Sequence, residues 1–287
     1  MVDHDEIELP GGLPDLEPGT VWLVGAGPGD PGLLTALACH ALGQADIVVY
    51  DALVDERVLA LARPGVEFAF AGKRGGRASA SQPDISARLV QLARAGKRVL
   101  RLKGGDPLIF GRGGEEALAL VAAGIAFRIV PGVTAATGGL AYAGIPTTHR
   151  TTNAAVTLVT GASLAGGLPD ELDWAALVRG APVLIFYMPL ANIELIVARL
   201  TEHGRGPDEL CALVSHATTV RQKVITATLA TLGPAVARAK IEGPSILVVG
   251  PVVALRDGLD WLGALTGRTL DPDPLGDATR DPEASGE

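Results

Sequence analysis

The chain has 287 residues, 48% of them apolar and 4% aromatic, with a formal net charge of -8. That length accommodates two domains of ordinary size with a substantial core. The acidic balance excludes a general nucleic-acid binder, because neutralising phosphates requires a basic face.

Taken in order, residues 1–18 carry acids and Pro10, Pro14 and Pro18 without periodicity, and read as a flexible leader. A buried strand over 21–24 ends in the loop 25–32. A helix begins near Pro31 with Leu33, Leu34, Leu37 and Leu42 on its inner side. Strands over 47–50 and 66–70 follow, the second leading into a polar loop with Lys73, Arg74 and Arg77. The spacing of Ile85, Leu89, Leu92 and Ala93 predicts a helix over 83–94. A strand over 99–102, a helix ending at 123, a strand over 127–130 and a small-residue helix over 136–143 complete an N-terminal α/β domain, 19–150, on a mostly parallel sheet. A second α/β domain, 151–266, has strands over 155–160, 183–187, 210–214, 223–228 and 246–249. Its helices are one lined by Ile193, Ile196, Val197 and Leu200 and a last one over 254–265. The Thr and Val runs near 224–228 favour antiparallel pairing there. Residues 267–287, rich in Asp, Pro and Gly, read as a disordered tail.

Cys39 and Cys211 lie far apart, each in an apolar stretch, and read as buried thiols of a reducing compartment. The acidic start lacks a signal pattern and no apolar run reaches spanning length, so a soluble, cytoplasmic protein without a membrane partner is expected. His4, His40, His149, His203 and His216 have no partner at metal-ligand spacing, and no nucleophile elbow occurs; neither a metal nor hydrolysis is expected.

The stretch over 101–116 concentrates the chemistry. Gly104, Gly105, Gly111, Gly113 and Gly114 interleave with Lys103, Asp106 and Arg112, a density that costs stability and implies a ligand passing close by. The competing reading is a plain strand-to-helix turn with Glu115 and Glu116 placed early in the helix, where its dipole favours acids. Residues 27–32 formally satisfy the dinucleotide pattern, with Asp46 and Asp51 near the distance of a ribose carboxylate. Pro28 and Pro31, however, remove two amides from a diphosphate cradle, which favours a nucleoside ligand without a diphosphate. Lys73, Arg74, Arg77, Arg112 and Arg150 are either solvated loop tips or a clamp for a small polyanion.

Together the segments 24–31, 49–51, 72–74, 101–116, 130–135 and 141–146 resemble the tetrapyrrole methylase family, in its branch that methylates uroporphyrinogen III, and the likeness runs from about Val21 to Leu255. The resemblance implies a tetrapyrrole-methylase fold of two αβα domains with the active site in the cleft between them, and a homodimer. It implies S-adenosyl-L-methionine as co-substrate, S-adenosylhomocysteine as product and no metal. Pro28, Gly104, Gly105, Asp106, Ile109, Thr134, Ala135, Met188 and Ala217 match cofactor positions, although many relatives have glycine where Ala217 stands. Asp51 and Lys73 match acid-base positions. Arg112, Glu115, Arg150 and Tyr187 match positions that grip or orient the tetrapyrrole. The implied reaction is methylation of uroporphyrinogen III at C2 and C7 to give precorrin-2. Electron-rich pyrrole carbons attacking a sulfonium need alignment and exclusion of water, with Asp51, Glu115 or Lys73 managing protons. Longer relatives carry a dehydrogenase and chelatase module; the short leader leaves no room for one, so a monofunctional chain is expected. The rival readings are a same-fold methylase acting on a later corrin precursor, or on a ribosomal or protein substrate; an NAD-dependent dehydrogenase; and a catalytically silent tetrapyrrole-binding protein.

Overall fold

The strand Val21–Gly25 (β1) is buried at every residue, as a run of apolar residues flanked by parallel neighbours must be. In the computed structural model, which describes residues 12–72, 82–163 and 166–276, this strand belongs to the first of two compact units, 1–134 and 135–287.

The first unit continues through the helix Ala36–Gln44 (α1), the strand Ile47–Tyr50 (β2), the short helix Glu56–Leu59 (α2), the strand Glu67–Phe70 (β3) and the helix Gln82–Arg94 (α3). Next come Val99–Lys103 (β4), Gly113–Ala122 (α4) and Phe127–Val130 (β5). The sheet is parallel throughout, in the order β3-β2-β4-β1-β5. On one face Trp22, Val24, Val48 and Leu100 pack on Ala38, Ala41 and Leu42 of α1. On the other, Val21, Leu23, Val49 and Val99 pack on Ile85 and Leu89 of α3 and on Ala117 and Leu120 of α4.

Local physics moves several expected boundaries. Pro31 opens a single 3-10 turn, Pro31–Leu33, and α1 starts only after Thr35, whose hydroxyl accepts from the Ala38 N–H at 3.1 Å. The inner face of α1 is therefore Ala38, Ala41 and Leu42, which turns Cys39 to the exposed side while Cys211 is buried. The leader is not loose along all of 1–18: Leu16 is 1% exposed in the core, and its N–H donates to Gln44 Oε1 at 2.6 Å. Residues 1–11 lie outside the described residues.

The second unit begins at Ala135, earlier than the expected boundary after Arg150. The reason is packing: Ala136, Leu140, Ala143 and Ile145 share a core with Ile185, Val214, Ile246 and Val248. Its elements are a π-helical turn Ala135–Gly139 continuing into Leu140–Tyr142 (α5), then Thr157–Thr160 (β6), Trp174–Gly180 (α6), Leu184–Tyr187 (β7), Ile193–Glu202 (α7), Leu210–Ser215 (β8), Lys223–Thr228 (β9), Leu229–Ala239 (α8) and Ser245–Val249 (β10). The sheet order is β6-β7-β10-β8-β9, with β6 and β7 parallel and the remaining pairs antiparallel. The expected closing helix is broken into a 3-10 turn, Pro251–Leu255, and two short helices, Arg256–Leu259 (α9) and Trp261–Leu265 (α10). Asp260 makes the break: it caps Gly263 and binds Arg256 and Arg268. The tail is docked as far as it is described, since Asp271 N–H donates to Asp257 O at 2.9 Å and Leu275 packs on the core. Residues 277–287 lie outside the described residues.

Three loops at the carboxyl edge of the first sheet touch backbone to backbone. Gly27 and Gly105 exchange hydrogen bonds, N–H to O at 3.2 Å and 2.7 Å, and both sit at left-handed φ, 71° and 65°. A Cβ on Gly25 would lie 2.5 Å from both Gly105 O and Gly132 Cα, and one on Gly132 would overlap Gly105 O. Asp106 ties the same loops, Oδ2 accepting from the Gly132 N–H at 3.0 Å and Oδ1 from the Leu108 N–H at 2.8 Å. Gly114, in contrast, has open space where its Cβ would be. We expect Gly132→Ala to cost about 3 kcal/mol of unfolding free energy in urea titration, because only backbone is available to give way. Gly114→Ala, inside a helix, should instead stabilise by up to about 1 kcal/mol. Asp106→Ala should cost about 1–3 kcal/mol in the same assay, by leaving the Gly132 N–H without its acceptor.

Candidate active site

β1 passes to α1 on one face of the sheet, while its neighbour β4 passes to α4 on the other. Adjacent parallel strands whose connections leave on opposite faces open a crevice at their carboxyl ends, where open α/β sheets take ligands. Here the crevice is edged by residues 25–32 and 103–106. The first loop is poorly equipped for a diphosphate: Gly27 N–H is bound to Gly105 O, Gly32 N–H to Asp30 Oδ1 at 2.8 Å, and Pro28 and Pro31 have none. Asp46, a ribose-carboxylate candidate, is taken up by Arg63 at 2.7 Å and the Arg98 N–H at 2.8 Å. The dinucleotide reading fails on these bonds. A half-buried Pro28 beside bare glycine backbone suits a nucleoside held by main-chain groups and van der Waals contact.

Three of the five glycines of 104–114 have a local reason beside the expected ligand. Gly104 is approached by Leu53, whose Cβ would be 2.5 Å from an added Cβ, and Gly111 and Gly113 both press on Pro107 O. At these three positions the missing side chain lets chain pass over chain. This tight loop holds Phe110 at φ 50° and Arg112 at φ 60°; left-handed backbone on such residues is strain that clusters at functional sites. Arg112 then reaches Glu115 with two bonds, Nε to Oε1 at 2.8 Å and NH2 to Oε2 at 2.6 Å. The bonds hold the Glu115 carboxyl below its ordinary range and the Arg112 guanidinium above its own. Both side chains are exposed, 39% and 56%, so water screens the pair and a carboxylate-bearing ligand can compete for Arg112. Ile109, between Leu108 and Phe110, is half-buried.

At the carboxyl end of β2, Asp51 Oδ1 accepts from the Leu53 N–H at 3.1 Å, and Oδ2 lies 3.7 Å from Arg101 NH2. Arg101 leads into a buried charge cluster that the sequence did not foreshadow as a unit. Arg101 and Lys103 alternate with Leu100 and Leu102 along β4, and both reach Glu116 Oε1, at 3.2 Å and 3.1 Å. Their side chains are 3% and 4% exposed and Glu116 is fully buried. Desolvation, and then the Arg101 charge, push the Lys103 ammonium below its ordinary value against the pull of Glu116. Two cations at alternate positions of a buried strand were the available signal. Lys73, with Arg74 and Arg77, lies outside the described residues.

In the second unit β6, β7 and β8 all end at one edge of their sheet. Tyr187, the last residue of β7, accepts the Ala136 N–H on its hydroxyl at 3.2 Å and the Gly161 N–H on its carbonyl at 2.7 Å. Met188 follows at φ 53° and half exposed. Beyond β8, Ala217 sits between His216 at φ 44° and Thr218 at φ 65°, and its Cβ approaches within 2.9 Å of where a Gly139 Cβ would be. Gln222 ties this loop to the end of α5, its Oε1 accepting from the Thr218 N–H at 2.7 Å and its amide donating to Tyr142 O at 3.0 Å. This edge therefore gathers Ala135, Tyr187, Met188 and Ala217; the strained His216 and Thr218 were not anticipated. Thr134 is the last residue of the first unit. Arg150 is exposed in a turn closed by the His149 N–H on Asn153 Oδ1 at 3.0 Å. Among the described residues no group of three His, Cys, Asp or Glu could hold a metal, and no helix is long and apolar enough to cross a membrane.

Residues 20–233 match the sequence model of the Tetrapyrrole (Corrin/Porphyrin) Methylases. A uroporphyrinogen-III C-methyltransferase from a Sinorhizobium species is 59% identical over 268 residues, 93% of this chain and 96% of that one. A siroheme synthase from Pseudomonas fluorescens is 49% identical over 255 residues, and this chain spans only 54% of its length. Among solved structures, uroporphyrin-III C-methyl transferase from Thermus thermophilus complexed with S-adenyl homocysteine aligns with TM-score 0.69 and 41% identity, over 82% of this chain and 98% of that one. A cobalt precorrin-4 methyltransferase aligns with TM-score 0.73 at 25% identity, over 85% of this chain and 99% of that one. With its two five-stranded sheets and this match over most of its length, the chain belongs to the tetrapyrrole (corrin/porphyrin) methylase family.

Proposed function

We propose that this chain is a methyltransferase that moves methyl groups from S-adenosyl-L-methionine to C2 and C7 of uroporphyrinogen III, giving precorrin-2 and S-adenosylhomocysteine. The observation that carries the reading is the 59% identity to a chain bearing that enzymatic name, over 96% of its length. Each transfer forms a carbon–carbon bond from a nucleophilic pyrrole carbon to the methyl group as the carbon–sulfur bond breaks; the sulfonium charge is discharged and a proton is later lost from the ring.

Within this reading Pro28, Gly104, Gly105, Asp106, Ile109, Thr134, Ala135, Met188 and Ala217 contact the donor. The loop's spent amides favour a donor without a diphosphate. Arg112, Arg150 and Tyr187 receive the carboxylate-bearing macrocycle, the exposed Arg112 exchanging Glu115 for a substrate carboxylate. Asp51 and Lys73 handle ring protons, and Glu115, held as a carboxylate, accepts rather than donates. The enzyme works as a cytoplasmic homodimer. A same-fold methylase of a later corrin precursor is the second reading, favoured by the fold match to the cobalt precorrin-4 enzyme.

Anaerobic incubation with uroporphyrinogen III and isotopically labelled S-adenosyl-L-methionine, read by mass spectrometry, should show two labelled methyl groups per macrocycle. No transfer to this substrate, with transfer to a later corrin, would install the second reading. Arg112→Ala should lower kcat/KM for the tetrapyrrole by about 100-fold, the size of a charge-assisted contact worth about 3 kcal/mol. Normal turnover of that variant would remove the anion clamp.

A further inference from the structure

The charged cluster behind Asp51 holds three ionisable side chains almost sealed from water, Arg101, Lys103 and Glu116, to which the reaction above gives no task. Arg101 uses every nitrogen of its guanidinium. Nε donates to Glu116 Oε1 at 3.2 Å, NH1 to Val49 O at 3.4 Å and Leu102 O at 3.2 Å, and NH2 lies 3.7 Å from Asp51 Oδ2. Glu116 Oε1 collects Lys103 at 3.1 Å and Gln82 at 3.0 Å as well, while Oε2 has no hydrogen-bond partner among the described residues.

We infer that Arg101 and Glu116 are positioning residues for the Asp51 carboxylate: Glu116 fixes the guanidinium, and the guanidinium fixes Asp51 at the end of β2. The inference deepens the methyltransferase reading and rests on its assignment of Asp51 to proton handling. Three observations support it. First, the cluster is set in the face lined by Val21, Leu23, Val49, Ile85, Leu89 and Leu120, where apolar side chains would pack at least as stably as a buried ion cluster. A need for stability alone does not call for these charges. Second, the register pairs Val49 with Arg101, so the strand carries Arg101 two residues short of Asp51, and a long forked side chain is what spans from there to both carboxylates. Third, Asp51 is held on both oxygens, by the Leu53 N–H and by Arg101, yet keeps 23% of its side chain exposed; it is oriented and still accessible. Gln82 carries the same constraint to the start of α3, the residue after the segment that bears Lys73.

The test is a coupling measurement on the full-length chain. Arg101→Met combined with Glu116→Gln removes one charge of each sign at nearly constant volume, and keeps an acceptor for Lys103 and Gln82. This pair should melt within a few degrees of the parent and bind S-adenosylhomocysteine unchanged by calorimetry, while kcat for methyl transfer falls about 100-fold, the size of a small misplacement of a reacting group. In an Asp51→Ala background the same pair should cost less than about 3-fold more, because its effect runs through the missing carboxylate. If the pair fails to fold, the coupling is read with Glu116→Gln alone. Parental kcat in the paired variant, or a loss that multiplies in full onto that of Asp51→Ala, would overturn the positioning role and leave the Asp51 assignment standing. Parental kcat in Asp51→Ala itself would remove the assignment and the inference with it.

Discussion

The contact of Gly25, Gly105 and Gly132 governs the carboxyl edge of the first sheet. Loops after three neighbouring strands reach van der Waals distance there because none has a Cβ, and the Gly27–Gly105 pair and the Asp106 carboxylate then lock them. Any side chain in the knot would push the loops after β1, β4 and β5 apart together. The residues that flank it, Pro28 on one side and Asp106 to Arg112 on another, have positions only as definite as that contact. A site built this way presents main-chain groups and small surfaces, which suits a nucleoside better than a diphosphate.

Behind the knot the same strand, β4, performs a second task with opposite chemistry. Its leucines pack on the α1 face, while Arg101 and Lys103 on the alternate face sit among aliphatic side chains. Their desolvation is offset by Glu116, brought in from the first turn of α4, and by the partly exposed Asp51. Since α4 also begins with Arg112 and Glu115, one helix carries both the buried carboxylate and the exposed ion pair. A shift of α4 along its axis would disturb both.

The sequence made the layers legible because periodicity is strong where one face of an element is buried. The α3 pattern of Ile85, Leu89, Leu92 and Ala93 is the buried apolar set observed, with Ser86 beside it, and the Thr and Val run of β9 does pair antiparallel. Short elements set by single polar contacts were not legible. α1 starts where Thr35 caps it, and the last helix breaks where Asp260 gathers two arginines. Leu16 and Leu275 lie in segments whose composition reads as disorder, since one apolar side chain reaching a core leaves no periodicity. At the site, the reasons for particular residues were not legible. Gly104, Gly111 and Gly113 sit where the chain crosses Leu53 and Pro107, which no local pattern encodes. Likewise Glu115 and Glu116 are adjacent and alike in sequence, yet one is exposed and the other sealed, because successive helical positions lie 100° apart.

Backbone strain offers a pointer to function that composition lacks. Arg112, Met188, His216 and Thr218 all adopt left-handed φ, a conformation that costs non-glycine residues of order 1–3 kcal/mol each. Each is held there by bonds of its surroundings: Gly113 N–H to Pro107 O at 2.9 Å beside Arg112, His216 N–H to Pro244 O at 2.9 Å, and Thr218 N–H to Gln222 at 2.7 Å. Met188 follows a Tyr187 whose carbonyl and hydroxyl are both engaged. Folding energy drawn from well-packed strands thus fixes exposed or loop residues in conformations they would not choose. Such fixed geometry is what the alignment of a methyl donor with a carbon nucleophile requires.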